Sequence, residues 1–143
     1  MNTPQTRPPK PLPQVTPLDR DYWRNARDHR LTIQCCEDCG TFRFPASPVC
    51  AECGGPRWAY RPVSGRGEIV SWVVFHRSYF PSFDAEVPYN VAGVRLEEGV
   101  MLMSNILAPN DALAHGMKVE VVFDDVTPEF SIPKFRPVQE DDA

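Results

Sequence analysis

Two Cys-x2-Cys pairs, Cys36 with Cys39 and Cys50 with Cys53, constrain this chain more than any other feature. Each pair is followed by glycine, Gly40 in the first case and Gly54-Gly55 in the second, where backbone amides must turn toward sulfur. Four soft thiolates suit a tetrahedral zinc ion, and a fourth protein ligand leaves no open position for chemistry, so one structural zinc is expected. An iron site could use the same knuckles, but the ten-residue link between the pairs favours a compact ribbon. Cys35 offers a competing Cys-x3-Cys register. The two-residue spacing that repeats at Cys50 favours Cys36, leaving Cys35 as the last side chain of a strand.

The redox compartment follows from the remaining composition. Hydrophobic residues make up 42% of 143, and charged residues 24%, as in an average globular protein. No apolar run is long enough to span a bilayer, and residues 1–15 lack the apolar centre of a signal peptide. The expected location is the cytoplasm, without membrane contact, where cysteines serve metals more often than disulfides. Five of the 16 prolines fall within residues 1–15. They exclude helix and central strand, leaving an extended arm that is either a mobile leader or a strap along a partner subunit.

Beyond the arm, Thr16, Pro17 and Asp19 make a helix start, and Leu18, Tyr22 and Ala26 recur at helical spacing with Trp23 beside them. A helix over residues 17–29 is expected, too short to stand alone. Short strands at 31–35, 41–44 and 58–61 frame the cysteine knuckles. Five more follow at 68–76, 89–96, 100–107, 118–123 and 130–135, with a loop and one helical turn within 110–116. The expected fold class is therefore mostly β: an N-terminal helix, a zinc ribbon and a five-stranded OB-fold barrel. The domain boundaries read as an arm (1–15), a helix-plus-ribbon unit (16–62), an OB unit (63–137) and an acidic tail (138–143).

No catalytic centre announces itself. His29, His76 and His115 lie in no motif that pairs them with a nucleophile or a carboxylate. Gly65-Arg66-Gly67 falls between strands, not before a helix, and so reads as a turn or bulge and not a phosphate loop. Nucleic-acid binding, common among zinc ribbons and OB-folds, needs a basic groove. Residues 1–62 carry nine Lys/Arg against six Asp/Glu, but residues 63–143 carry six against thirteen. That acidic OB half argues against nucleic acid.

The segments L-T-I-Q-C-C-E-D-C-G, F-R-F-P, C-A-E-C-G, S-G-R-G-E-I-V-S-W, V-P-Y-N-V-A-G-V-R-L-E-E-G and I-P-K-F-R-P occur in this order behind a Trp-bearing helix. Together they resemble the acyl-CoA-associated OB-fold family with a rubredoxin-like zinc ribbon, across residues 19–137. The resemblance implies a non-catalytic accessory subunit of a thiolase-like enzyme, or alternatively of a MaoC-like enoyl-CoA hydratase, with CoA or acyl-CoA as a further candidate contact. The catalytic residues would then belong to the partner. Tyr22 and Trp23 on the helix, and Tyr79, Phe80 and Phe83 in the loop 77–88, are the candidate partner or CoA contacts.

Overall fold

The computed structural model describes residues 10–139, so most of the proline arm and the acidic end of the tail lie outside the described residues. Helix α1 spans Arg20–Arg27, shorter than the 17–29 expected. At its start the roles are reversed, because Asp19 Oδ1 accepts from the Thr16 N–H at 2.7 Å and from the Thr16 hydroxyl at 3.0 Å. Residues 17–19 thus form a separate turn instead of the first helical turn. At its end His29 adopts φ 60°, with His29 N–H donating to Ala26 O and Arg30 N–H to Asn25 O. These paired bonds satisfy carbonyls that a helix end otherwise leaves open.

Strands β1 (Thr32–Cys36), β2 (Phe42–Arg43) and β3 (Trp58–Pro62) form an antiparallel sheet ordered β2-β1-β3. All five β1 residues are buried, so its pattern is continuous instead of alternating. One face meets the knuckles and the other meets the rest of the molecule. Gln34 is the polar residue this burial must accommodate. Its amide donates to Ser47 O at 3.0 Å and accepts from Ser47 N–H at 2.9 Å, pinning the link between the knuckles onto β1.

The second sheet runs β6-β5-β4-β7-β8, from β4 (Arg66–Phe75), β5 (Tyr89–Leu96), β6 (Met101–Ser104), β7 (Lys118–Asp125) and β8 (Ser131–Pro137). A register shift between Ile69 and Ser71 bends β4, which helps the sheet curl into a half-barrel. The outer strands approach at the parallel bridge between Ile106 and Phe135. Strand β6 ends earlier than the 100–107 expected, because Asn90 Oδ1 captures the Ile106 N–H at 2.7 Å and Phe135 O takes the Leu107 N–H at 2.8 Å.

Helix, ribbon and half-barrel share one core. Tyr22, Leu31 and Ile33 belong to the same buried cluster as Ile69, Val94, Val119 and Phe135. Truncating a fully buried side chain such as Ile33 costs about 2–5 kcal/mol, so that change would loosen the joint as well as the ribbon.

Candidate metal centre and contact surfaces

The two knuckles are built alike. Gly40 N–H donates to Cys36 O and Gly54 N–H to Cys50 O, at 2.9 and 2.8 Å. Cys36 N–H reaches Thr41 O, and Cys50 N–H reaches Gly55 O. Backbone amides also point at sulfur, from Asp38 to Cys36 Sγ at 3.3 Å and from Glu52 to Cys50 Sγ at 3.4 Å. Gly40 and Gly54, at φ 79° and 75°, occupy the left-handed region that makes both turns possible.

These turns bring the sulfurs of Cys36, Cys39, Cys50 and Cys53 within 4.8 Å of one another. Cys36–Cys53 and Cys39–Cys50 each stand at 3.6 Å. A tetrahedron with Zn–S of about 2.3 Å requires sulfurs roughly 3.8 Å apart, so the donor set fits zinc with little adjustment. Cys35 is buried and turned away, with Sγ 3.4 Å from Gly40 O.

Charge favours a cation here. Cys39 is held down to about 6 by the Thr41 hydroxyl. Cys53 is pushed up to about 12: the Gly55 N–H pulls it down, but the Cys36 and Cys39 sulfurs outweigh that donor. Four thiols this close oppose one another's ionisation, and a divalent metal removes the conflict. The centre thus suits holding the ribbon together.

The candidate contact residues divide by exposure. Tyr22 is buried, edge-on to Trp23 with ring centres 4.9 Å apart. Trp23 is half-buried against Phe130 at 6.0 Å. In the loop 77–88, a short 3-10 turn at Pro81–Phe83 folds Phe83 back toward Tyr89, at 5.7 Å. Tyr79 and Phe80 remain 60% and 52% exposed. Lys10 joins this loop from the arm, 2.6 Å from Glu86 and 5.4 Å from the Phe83 ring centre. Between arm, loop and β8 lies a cavity of about 780 Å³ bounded by Leu12, Phe83, Leu107 and Ile132.

Sequence reasoning missed an apolar outer face on the half-barrel. Val73, Met101 and Met103 are exposed there, and Gly93 lies beneath the methionines. The sign was available in Val100-Met-Leu-Met103, which is apolar on both faces of a strand although only Val100 and Leu102 pack on the core. His76 and His115 are exposed, while His29 stacks on Phe123 with centres 5.0 Å apart.

A closed thiolate site on a ribbon that shares its core with a curled five-stranded sheet defines a zinc-ribbon/OB-fold protein. Two family models match consecutively: the rubredoxin-like zinc ribbon domain of ChsH2 over residues 23–59, and its C-terminal OB-fold domain over 60–124. A "DUF35 domain-containing scaffold protein" of Pyrococcus furiosus is 33% identical over 103 residues, covering 71% of this chain and 74% of that one. The chain belongs to this DUF35/ChsH2 family. Thermomonospora curvata has a "Probable enoyl-CoA hydratase alpha subunit" that is 38% identical over 130 residues, 90% of this chain. The present chain spans only 40% of that relative's length. A solved structure described as "Ltp2-ChsH2(DUF35) aldolase" superposes with a TM-score of 0.82 at 35% identity, covering 88% of this chain and 98% of the matched chain. Among the described residues, no helix is long and apolar enough to cross a membrane.

Proposed function

We propose that the chain is a non-catalytic scaffold subunit that assembles with a thiolase-like, acyl-CoA carbon–carbon bond cleaving or forming enzyme in the cytoplasm and supports its activity. The observation that carries this reading is the likeness of 88% of this chain to 98% of a chain of the Ltp2-ChsH2(DUF35) aldolase. The structural unit is a helix and zinc ribbon (16–62), with Cys36, Cys39, Cys50 and Cys53 holding one zinc, followed by the OB unit (63–137). The arm (1–15) and tail (138–143) flank them.

Contacts with the enzyme or with CoA fall to Trp23, Tyr79, Phe80 and Phe83. Tyr22 acts from beneath by fixing the Trp23 ring. Aromatic rings half out of water are the side chains that dominate protein interfaces. Nucleic acid has no part in this reading. Co-expression with the thiolase-like enzyme from the same source should yield a stable complex burying more than about 2,000 Å². The enzyme expressed alone should be insoluble or far slower.

A second reading, a subunit of a MaoC-like enoyl-CoA hydratase, is favoured by the relatives named as hydratase alpha subunits. Selective complex formation with a hydratase, and none with a thiolase, would replace the first reading by the second.

A further inference from the structure

Arg20, Arg24 and Arg27 are exposed and follow one another at intervals of four and three along α1, on one side of the helix. The opposite side buries Tyr22 and Ala26. Beside the arginines runs a recess of about 160 Å³ whose apolar lining is Trp23, Phe130 and Val15, with Glu129 at its wall. It continues past Arg27 into a groove of about 470 Å³ lined by His29, Asp125, Thr127 and Pro128.

Folding does not explain this stripe. Arg24 and Arg27 stand in the last turn, where a cation complements the helix dipole, but Arg20 is the first helical residue, where a cation opposes it. Like charges at these spacings also repel along a helix of only eight residues. Within the described residues the stripe forms one ion pair, Arg24 with Asp21 at 3.7 Å, and both groups are half in water. A face that only needed solvation would serve equally with lysine. Arginine beside tryptophan, over an apolar recess, is the composition of an interface that binds carboxylates in planar, paired fashion.

We infer that the groove between α1 and the β7–β8 loop docks an acidic segment of a partner protein, its carboxylates on Arg20, Arg24 and Arg27 and one apolar side chain in the recess over Trp23 and Phe130. The argument is charge complementarity at the groove's own lining, where Arg20, Arg24 and Arg27 outnumber the carboxylates of Glu129 and Asp125, whereas residues 63–143 as a whole are strongly acidic. The inference extends the scaffold reading and rests on it, but it does not depend on which enzyme class the partner belongs to.

The test uses the full chain and a fluorescent peptide of glutamates around one central leucine, followed by anisotropy at physiological ionic strength. The peptide should bind. Arg20→Glu should weaken it about tenfold while leaving the melting temperature unchanged or higher, since the substitution favours the helix dipole. Arg20→Lys should fall between the two. Arg95→Glu, an exposed control on β5, should leave binding intact, and peptide leucine-to-alanine should weaken it. The inference is overturned if the peptide does not bind, if Arg95→Glu weakens it as much as Arg20→Glu, or if the leucine is immaterial. It is equally overturned if a single-stranded oligonucleotide competes as strongly as the peptide, which would make the stripe a general polyanion surface.

Discussion

His29 Nε2 lies 2.7 Å from Asp125 Oδ1, a contact that joins the end of α1 to the end of β7 across 96 residues of sequence. A φ of 60° is uncommon outside glycine, the usual helix terminator, although histidine adopts it more readily than most side chains. Its ring here stacks on Phe123 and its nitrogen reaches Asp125, which also accepts from the Ser131 hydroxyl. The clasp offsets the backbone cost.

The clasp makes one contribution to stability acid-sensitive. The Ser131 hydroxyl, and after it His29, hold the Asp125 carboxyl below its ordinary value. A depressed folded value stabilises the protein above the unfolded pKa, about 4, and the contribution disappears as pH falls through the folded value. Asp125→Asn should therefore melt lower than the parent at neutral pH, and the gap should close below about pH 4. Melting curves across that range check the sign. A gap that widened in acid would contradict it.

Gln34 to Ser47 is the second long-range tie. Gln34→Leu removes both amide bonds and leaves the Ser47 N–H without its partner, while Arg43 still reaches Ser47 O at 2.9 Å. The expected cost is about 2–3 kcal/mol of ribbon stability. Loss of zinc to a competing chelator at lower concentration would report it. An unchanged chelator profile would show that the knuckles hold without this pin.

The metal register is testable by composition. Purified protein should carry about one zinc per chain and lack thiolate-to-iron absorbance. Cys36→Ser should lose it and Cys35→Ser should keep it, because the sulfur of Cys36, and not that of Cys35, lies within 4.8 Å of the other three. The reverse outcome would move the site by one residue. Loss of metal should unfold the ribbon, since a structural zinc contributes directly to folding.

Phe80 separates an interface from a local cluster. It is half exposed and 6.3 Å from Phe83, so Phe80→Ala should barely shift the free chain's melting temperature. It should cost more than about 1 kcal/mol in affinity for the enzyme partner. Equal losses in both measurements would assign Phe80 to the cluster formed by Phe75, Phe83 and Tyr89.

Local chemistry was legible in the sequence where short-range rules decide. The knuckles, their ligand spacing and their glycines need only residues a few positions apart. The strands of the half-barrel were visible in their apolar runs. What was not legible depends on distant partners. The helix was expected to begin at Pro17, but the Asp19 carboxylate turns back to Thr16 and closes a turn first. Strand β6 was expected to reach residue 107, but Asn90 and Phe135 claim the backbone of Ile106 and Leu107. The roles of Gln34 and His29 were hidden for the same reason, since their partners lie 13 and 96 residues away.

The scaffold claim is tested most directly by reconstitution. The thiolase-like enzyme proposed as partner, purified with and without this chain, should be assayed for turnover of its acyl-CoA thioester, beside this chain alone. The account predicts turnover by the complex, a loss of orders of magnitude without the chain, and none by the chain itself. Full activity of the enzyme without the chain, or turnover by the isolated chain, would contradict it.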